Sequence, residues 1–264
     1  MLWVRVMCFA HKLSIAPVWK FCMLIYNTYV KLKTLFQWYL IIIGVWLLRV
    51  ALTGTLRTGY LLWNVFLAFV PYMLIAFYTK YTSHLHGWTR EICKLVTGLL
   101  CLLFLPNSFY ILTDFLHLNS AVLVNDRNDV AYRGMQYARG DGLYVFDSLL
   151  LFMATVLGAY AGATALLVVY RSIRRRYSKP GTIIALLAVM LLSASGVYIG
   201  RFGRWNSWDA IIKPWLVIGD LRDMLSTASS VRRFLLVTTS IFVLEIVSMV
   251  AVVRLGAKKN LYIK

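Results

Sequence analysis

Six apolar segments, each long enough to cross a membrane, constrain this 264-residue chain more than any other feature. A helix needs about 20 mostly apolar residues to span the hydrocarbon core of a bilayer. None of the segments shows the alternating pattern of an outer-membrane barrel strand. The sequence therefore predicts an all-α fold, a polytopic membrane helix bundle with about six transmembrane helices. The predicted spans are 36–53, 61–79, 92–113, 146–170, 181–200 and 234–253.

Composition agrees with a membrane protein that has short flanking segments. Apolar and aromatic residues make up 61% of the chain and charged residues 14%, against about 25% charged in soluble domains. We expect a basic, interfacial segment over 1–35, a six-span domain over 36–253 and a basic cytoplasmic tail over 254–264. Lys20 interrupts the apolar run of the first segment, which favours an interfacial helix over a seventh span. No small-residue cleavage site follows, so we expect no signal-peptide processing.

The distribution of lysine and arginine predicts the orientation. The connection "RSIRRRYSK" carries five basic residues in nine, whereas the basic residues of the opposing connections are dispersed among acidic ones. Cytoplasmic connections are enriched in Lys and Arg, so both termini are expected in the cytoplasm. Arg232 and Arg233, beside the last span, argue against this orientation.

The formal net charge of +18 is a feature of many nucleic-acid-binding proteins. Here the basic residues flank the ends of spans, where they set topology and attract anionic lipid headgroups. The lipid bilayer is therefore the expected partner, and no nucleic acid is expected.

A polar stripe closes the third span in "FLPNSFYILTDFLHL". Asn107, Tyr110, Asp114 and His117 are spaced by three, four and three residues, which places them on one face of a helix that Pro106 can bend. Asp114 and His117 could act as a catalytic general base or share a metal ion. Alternatively, Asp114 only caps the helix end.

A second polar cluster closes the fifth span in "YIGRFGRWNSWD". Arg201, Arg204 and Trp208 recur at three and four residues, again on one helical face. The planar guanidinium group suits a phosphate or a carboxylate. An aromatic belt with snorkelling arginines is the alternative, as is simple neutralisation of nearby acids. The remaining members of this cluster are Trp205, Asn206 and Asp209.

A metal site is not favoured by the pattern. Two ligands are too few for zinc, which needs four, or three with water. Oxygen ligands from Asp141, Asp147 or Asp209 would favour the divalent cations magnesium, calcium or manganese instead. The standard hydrolase and ATPase motifs are absent from the sequence.

Three further features concern the architecture. The spacings Gly158-x-x-x-Gly162 and Gly196-x-x-x-Gly200 allow close helix approach. Glu245 is an acid deep in a span, which suggests function by default, although it could pair with Arg49 or Lys94. Pro214 could begin a surface helix that acts as a lid.

The motifs carry a resemblance. "FLPNSFYILTDFLHL" resembles the Leu-Pro-Asn, Tyr, Thr-Asp, His-Leu signature of the bacterial domain-of-unknown-function family 1361, predicted multi-pass membrane proteins. "YIGRFGRWNSWD" is similar to that family's second signature, and "LYVFDSLL" resembles the aromatic-aspartate step between them. The likeness covers roughly residues 50–250. It implies a fold type and a bacterial plasma membrane location, but no activity.

Two functional hypotheses follow, with a transporter as a weaker third. In the first, an outward-facing site binds, and could modify, an anionic lipid or envelope precursor. Arg201 and Arg204 would hold the acidic head, with Asp114 and His117 as catalytic or metal-binding residues. In the second, the stripe is an internal salt-bridge lock in a non-catalytic module that assembles a partner complex. The proposed substrate-binding residues are Asn107, Tyr110, Asp147, Arg201, Arg204, Trp205, Asn206, Trp208 and Asp209.

Overall fold

The computed structural model describes residues 16–56, 58–82, 85–118, 142–174 and 177–261. Within these ranges only the backbone is described at 16–31, 79–80, 117 and 256–261. The described residues form helices and their connections, with no strand among them.

Eight α-helices and one 3₁₀ segment make up the described chain. They are α1 Ala16–Thr53, α2 Tyr60–Tyr81, α3 Gly87–Tyr110, the 3₁₀ segment Ile111–His117, α4 Gly142–Arg174, α5 Lys179–Gly203, α6 Asp209–Ile212, α7 Pro214–Met224 and α8 Ala228–Leu261. Six of them, α1 to α5 and α8, are long and apolar enough to cross a membrane. The predicted polytopic all-α bundle with six spans is confirmed.

Helix α4 forms the centre of the bundle. It packs against α1, α2, α3, α5 and α8, and it is the most buried of the six candidate spans. Its glycines permit this packing. A Cβ at Gly158 would lie 2.7 Å from the Ser108 carbonyl oxygen, and one at Gly162 would lie 2.7 Å from the Ser108 Cβ. The close approach predicted from the Gly-x-x-x-Gly spacing is therefore confirmed for α4 against α3.

One end of the bundle gathers the polar side chains of five elements. Helices α1 and α5 and the 3₁₀ segment finish there, and α2 and α4 begin there. We call this the polar end. The end of α4, which carries Arg171 and Arg174, and the start of α5 at Lys179 lie at the opposite end.

The N-terminal part of the chain joins the first span without a break. Helix α1 begins at Ala16 and continues past residue 35, so the described part of the segment 1–35 belongs to the same helix as the first span. Residues 1–15 lie outside the description. The interfacial role of this segment stays a prediction.

Helix α3 runs through Pro106 and tightens into the 3₁₀ segment after Tyr110. The ring of Pro106 packs on α5, because a Cβ at Gly196 would lie 2.7 Å from Pro106 Cγ. A 3₁₀ helix has three residues per turn instead of 3.6. The α-helical spacing expected for the whole polar stripe therefore holds only as far as Tyr110.

Candidate functional site

Asp114 is the centre of the first polar contact at the polar end. Its side chain is almost fully buried, and Arg201 Nη1 donates to Oδ1 at 3.1 Å. Asn64 Nδ2 donates to the other carboxylate oxygen at 2.8 Å. The contact ties the 3₁₀ segment to α2 and α5. The alternative that Arg201 and Arg204 neutralise Asp114 and Asp147 holds for Arg201 and Asp114 only, because Asp147 pairs with Arg49.

Arg201 also contacts Tyr110, the last residue of α3 before the 3₁₀ segment. The guanidinium carbon lies 5.7 Å from the centre of the Tyr110 ring, a cation–π distance. Nη1 also approaches the tyrosine hydroxyl at 3.5 Å. These contacts hold the Arg201 head in the interior of the bundle.

A second buried ion pair joins Arg49 to Asp147. Arg49 Nε donates to Oδ1 at 2.6 Å and Nη2 donates to Oδ2 at 2.9 Å, so the pair is bidentate. Arg49 Nη1 donates to the carbonyl and hydroxyl oxygens of Thr55 at 3.1 and 3.0 Å. The fork geometry matches both carboxylate oxygens and adds strength and direction to the pair. The pair links the end of α1 to the start of α4.

Both ion pairs are buried, so loss of either member should lower the stability of the fold. Breaking a buried ion pair costs about 3–5 kcal/mol, because the remaining charge is left without compensation. Tyr60, at the start of α2, lies within electrostatic range of both pairs. The two buried pairs and Asn64 therefore join five elements at the polar end, α1 to α4 through one pair and the 3₁₀ segment to α2 and α5 through the other.

A groove runs along the side of the bundle next to the Asp114–Arg201 pair. It has a volume of about 870 Å³ and lies among α2, α3, α5 and the segment from Arg204 to Val217. Its wall is mostly apolar, with exposed residues such as Leu99 of α3. Asn107 closes one side, where its Nδ2 donates to Ser207 Oγ at 2.9 Å. The volume is in the range of sites that bind small molecules.

The residues that build this site lie in a region that matches a known family model. Residues 63–247 match the family model described as "Protein of unknown function (DUF1361)". The chain belongs to this family. No curated protein and no solved structure matches the chain. Because the family description names no activity, the function of this DUF1361 protein has to be argued from the site.

Arg204 and Arg201 lie in different environments. Helix α5 ends at Gly203, and Arg204 has a left-handed backbone with φ of 58°. Such a conformation is uncommon for a residue with a Cβ. It turns the chain away from the helix, so that exposed Arg204 lines the groove while Arg201 stays buried on Asp114. The expected single helical face for Arg201, Arg204 and Trp208 is therefore wrong beyond Gly203.

The turn after α5 is held by its own polar contacts. Trp205 Nε1 donates to Asp220 Oδ2 of α7 at 3.0 Å. The backbone N–H and the side-chain amide of Asn206 donate to Asp209 Oδ2 at 2.8 and 3.2 Å. Trp205 and Asn206 line the groove, whereas Trp208 and Asp209 are not part of its lining. The predicted surface helix exists as α7, which begins at Pro214 and contributes Val217 to the groove.

The metal hypothesis gains no support from the described part of the chain. No group of three or more His, Cys, Asp or Glu side chains is placed there to hold a metal ion. Asp147 is held by Arg49, and Asp209 by Asn206. The side chain of His117 and the whole of Asp141 lie outside the described residues. The role predicted for His117 therefore stays a prediction.

Sequence reasoning missed two contacts of the polar end, those of Arg49 and Asn64. Arg49 pairs with Asp147, not with Glu245, and Lys94 pairs with Glu91 at 3.9 Å. Asn64 was not singled out, although it is an amide within an apolar span of the DUF1361 region. A polar residue in a span usually has a partner inside the bundle. Applied to Asn64 and Arg49, that rule would have predicted their buried contacts.

Glu245 is buried in the middle of α8, away from the groove. Neither of its carboxyl oxygens has a hydrogen-bond partner among the described residues. The Ser193 hydroxyl of α5 lies nearby, yet it also lacks a partner with hydrogen-bond geometry. Unpaired polar groups are costly to bury. Glu245 therefore stands apart from the paired acids of the polar end.

Proposed function

We propose that this protein binds an anionic lipid or lipid-linked envelope precursor in the groove, with the acidic head at the polar end. The observation that carries the proposal is the composition of the groove along its length. Its wall is built from apolar residues of α3 and α5. Arg204 and Asn107 line the groove where it meets the polar end of the bundle. An amphiphile requires this combination of an apolar channel with a cationic terminus.

The residues of the polar end take separate roles in this proposal. Arg204, on the groove surface, contacts the acidic head, since an exposed guanidinium suits a phosphate oxygen pair. Both oxygens of Asp114 already accept hydrogen bonds. We therefore assign Arg201 and Asp114 the structural role of holding the groove wall in position. This assignment favours binding over general-base chemistry at Asp114. A catalytic function of Asp114 with His117 is the further step that a bound precursor would allow.

In the proposed membrane orientation, the end of the groove that holds Arg204 faces outward. The basic end of α4, with Arg171 and Arg174, lies at the opposite end of the bundle, and span ends rich in Lys and Arg stay in the cytoplasm. We therefore place the polar end at the outer face of a bacterial plasma membrane, with both termini inside. The headgroup of an outer-leaflet lipid would lie at the level of Arg204.

A second candidate function is favoured by the two ion pairs. Buried Arg49–Asp147 and Arg201–Asp114 pairs could serve only to lock the bundle, whose surface then assembles a partner complex. This non-catalytic function needs no ligand in the groove. It predicts that lipids of different headgroup stabilise the protein equally.

The experiment is thermal unfolding of the purified full chain in detergent with added lipid. Phosphatidic acid and phosphatidylcholine with the same acyl chains are compared, because a ligand that binds only the folded state stabilises it by mass action. We expect phosphatidic acid to raise the unfolding temperature more, and Arg204→Gln to remove the difference. Arg222→Gln is the matched control, since Arg222 is an exposed arginine of α7 outside the groove lining. Equal stabilisation by both lipids would reject the proposal and favour the structural lock.

A further inference from the structure

A second cavity borders the groove toward the opposite end of the bundle. This cavity has a volume of about 430 Å³ and lies among α2, α3, α4 and α5. Leu99 and Leu102 line both cavities, so the two adjoin along α3. Glu91 and Lys94, paired at 3.9 Å, line the far end of the second cavity. We call it the inner cavity.

Together the two cavities line a length of α3 that is close to the thickness of the bilayer core. At about 1.5 Å per residue, α3 rises about 28 Å between Glu91 and Tyr110, which line opposite ends of the path. The hydrocarbon core measures about 30 Å, so a phospholipid tail in one leaflet reaches only about half of that distance. The charged pair lies at one end of this length and Arg204 at the other. A single ligand that occupied both cavities would therefore be longer than a lipid confined to one leaflet.

We propose that the ligand is an anionic lipid with one linear chain long enough to cross the membrane, of the polyisoprenyl phosphate class. This inference rests on the proposed function and deepens it by naming the ligand. The phosphate lies at Arg204, and the chain follows α3 past Leu99 and Leu102 into the inner cavity. A single molecule then occupies a path that would otherwise require two phospholipids, one from each leaflet. Ordering one bound molecule costs less entropy than ordering two.

Gly98 offers a way to shorten the path without disturbing the polar end. It lines the inner cavity only, and a Cβ built there meets no atom within 4 Å. Gly98→Leu should therefore fill the inner cavity and leave the groove and Arg204 unchanged. Gly44 of α1 is the matched control, because a Cβ there is equally unobstructed and Gly44 lines neither cavity.

The experiment measures binding of three phosphate monoesters to the full chain in phosphatidylcholine nanodiscs. The probes are farnesyl phosphate, undecaprenyl phosphate and phosphatidic acid, which share a headgroup chemistry and differ in their chains. We expect undecaprenyl phosphate to bind about tenfold more tightly than either of the others, a difference of about 1.4 kcal/mol. Gly98→Leu should remove this preference and retain binding of farnesyl phosphate, while Gly44→Leu should retain both.

The outcomes separate this inference from the proposed function. Equal affinity for the three probes, with dependence on Arg204, would overturn the long-chain ligand and leave anionic lipid binding in place. Retained preference in Gly98→Leu would also overturn it, because the chain would then not use the inner cavity. Absence of binding by all three, or binding that Arg204→Gln does not weaken, would overturn both proposals.

Discussion

Arg201 and Arg204, one helical turn apart in sequence, lie on opposite sides of the groove wall. Arg201 is buried, with Nη1 on Asp114 at 3.1 Å, whereas Arg204 follows the last residue of α5 and lies exposed in the groove. The left-handed backbone at Arg204 separates them. One arginine therefore holds the bundle together, and the other lines the groove.

The Arg201–Asp114 pair should behave as a coupled unit in stability measurements. Arg201→Ala and Asp114→Ala should each lower the free energy of unfolding by about 3–5 kcal/mol, because each leaves a buried charge without compensation. The double variant should lose less than the two single losses added together. Denaturant titration of the detergent-purified protein measures the three values. Strictly additive losses would show that the two side chains do not interact.

Arg49 should not tolerate replacement by lysine. Its two bonds to Asp147 and those to Thr55 come from three different nitrogens, and an ammonium group cannot reproduce that fork. Arg49→Lys should lower the free energy of unfolding by about 1–3 kcal/mol. Exposed Arg90 is the control, and Arg90→Lys should have little effect. Equal stability of Arg49→Lys and the wild type would contradict the bidentate geometry.

The sequence predicted the spans because each depends on a local run of apolar residues. It predicted the contact of Gly158 and Gly162 with a neighbour for the same reason, since small-residue spacing is a local pattern. The partner of Arg49 was not predictable in this way, because Asp147 is 98 positions away and pairing depends on how the helices are arranged. The direction of Arg204 was also not predictable. Helical periodicity assumes that α5 continues through Arg204, whereas the helix ends at Gly203.

Close packing between α4 and α3 should make Gly158 sensitive to a single added methyl group. A Cβ there would lie 2.7 Å from a backbone oxygen that cannot move freely, so Gly158→Ala should cost about 1–3 kcal/mol. Gly98→Ala is the contrasting variant, because its Cβ meets nothing. It should leave stability unchanged or raise it by about 0.5–1 kcal/mol through helix propensity. Unfolding temperatures that fall equally in both variants would contradict this packing.

Glu245 should be dispensable for folding. Its carboxyl group is buried without a hydrogen-bond partner among the described residues, and replacing such a group by an apolar one of similar size removes a desolvation cost. Glu245→Leu should therefore unfold at a higher temperature than the wild type. A lower unfolding temperature would show that Glu245 binds a group that stabilises the fold.

The most direct test of lipid binding in the groove is native mass spectrometry of the protein extracted gently from its membrane. The wild-type protein should retain a bound anionic lipid. Leu103→Trp, which fills the groove, should lose that lipid. Leu191→Trp should retain it, because Leu191 is an exposed residue of α5 outside the groove lining. Equal retention of anionic lipid by both variants, or the absence of any bound lipid from the wild type, would contradict lipid binding in the groove.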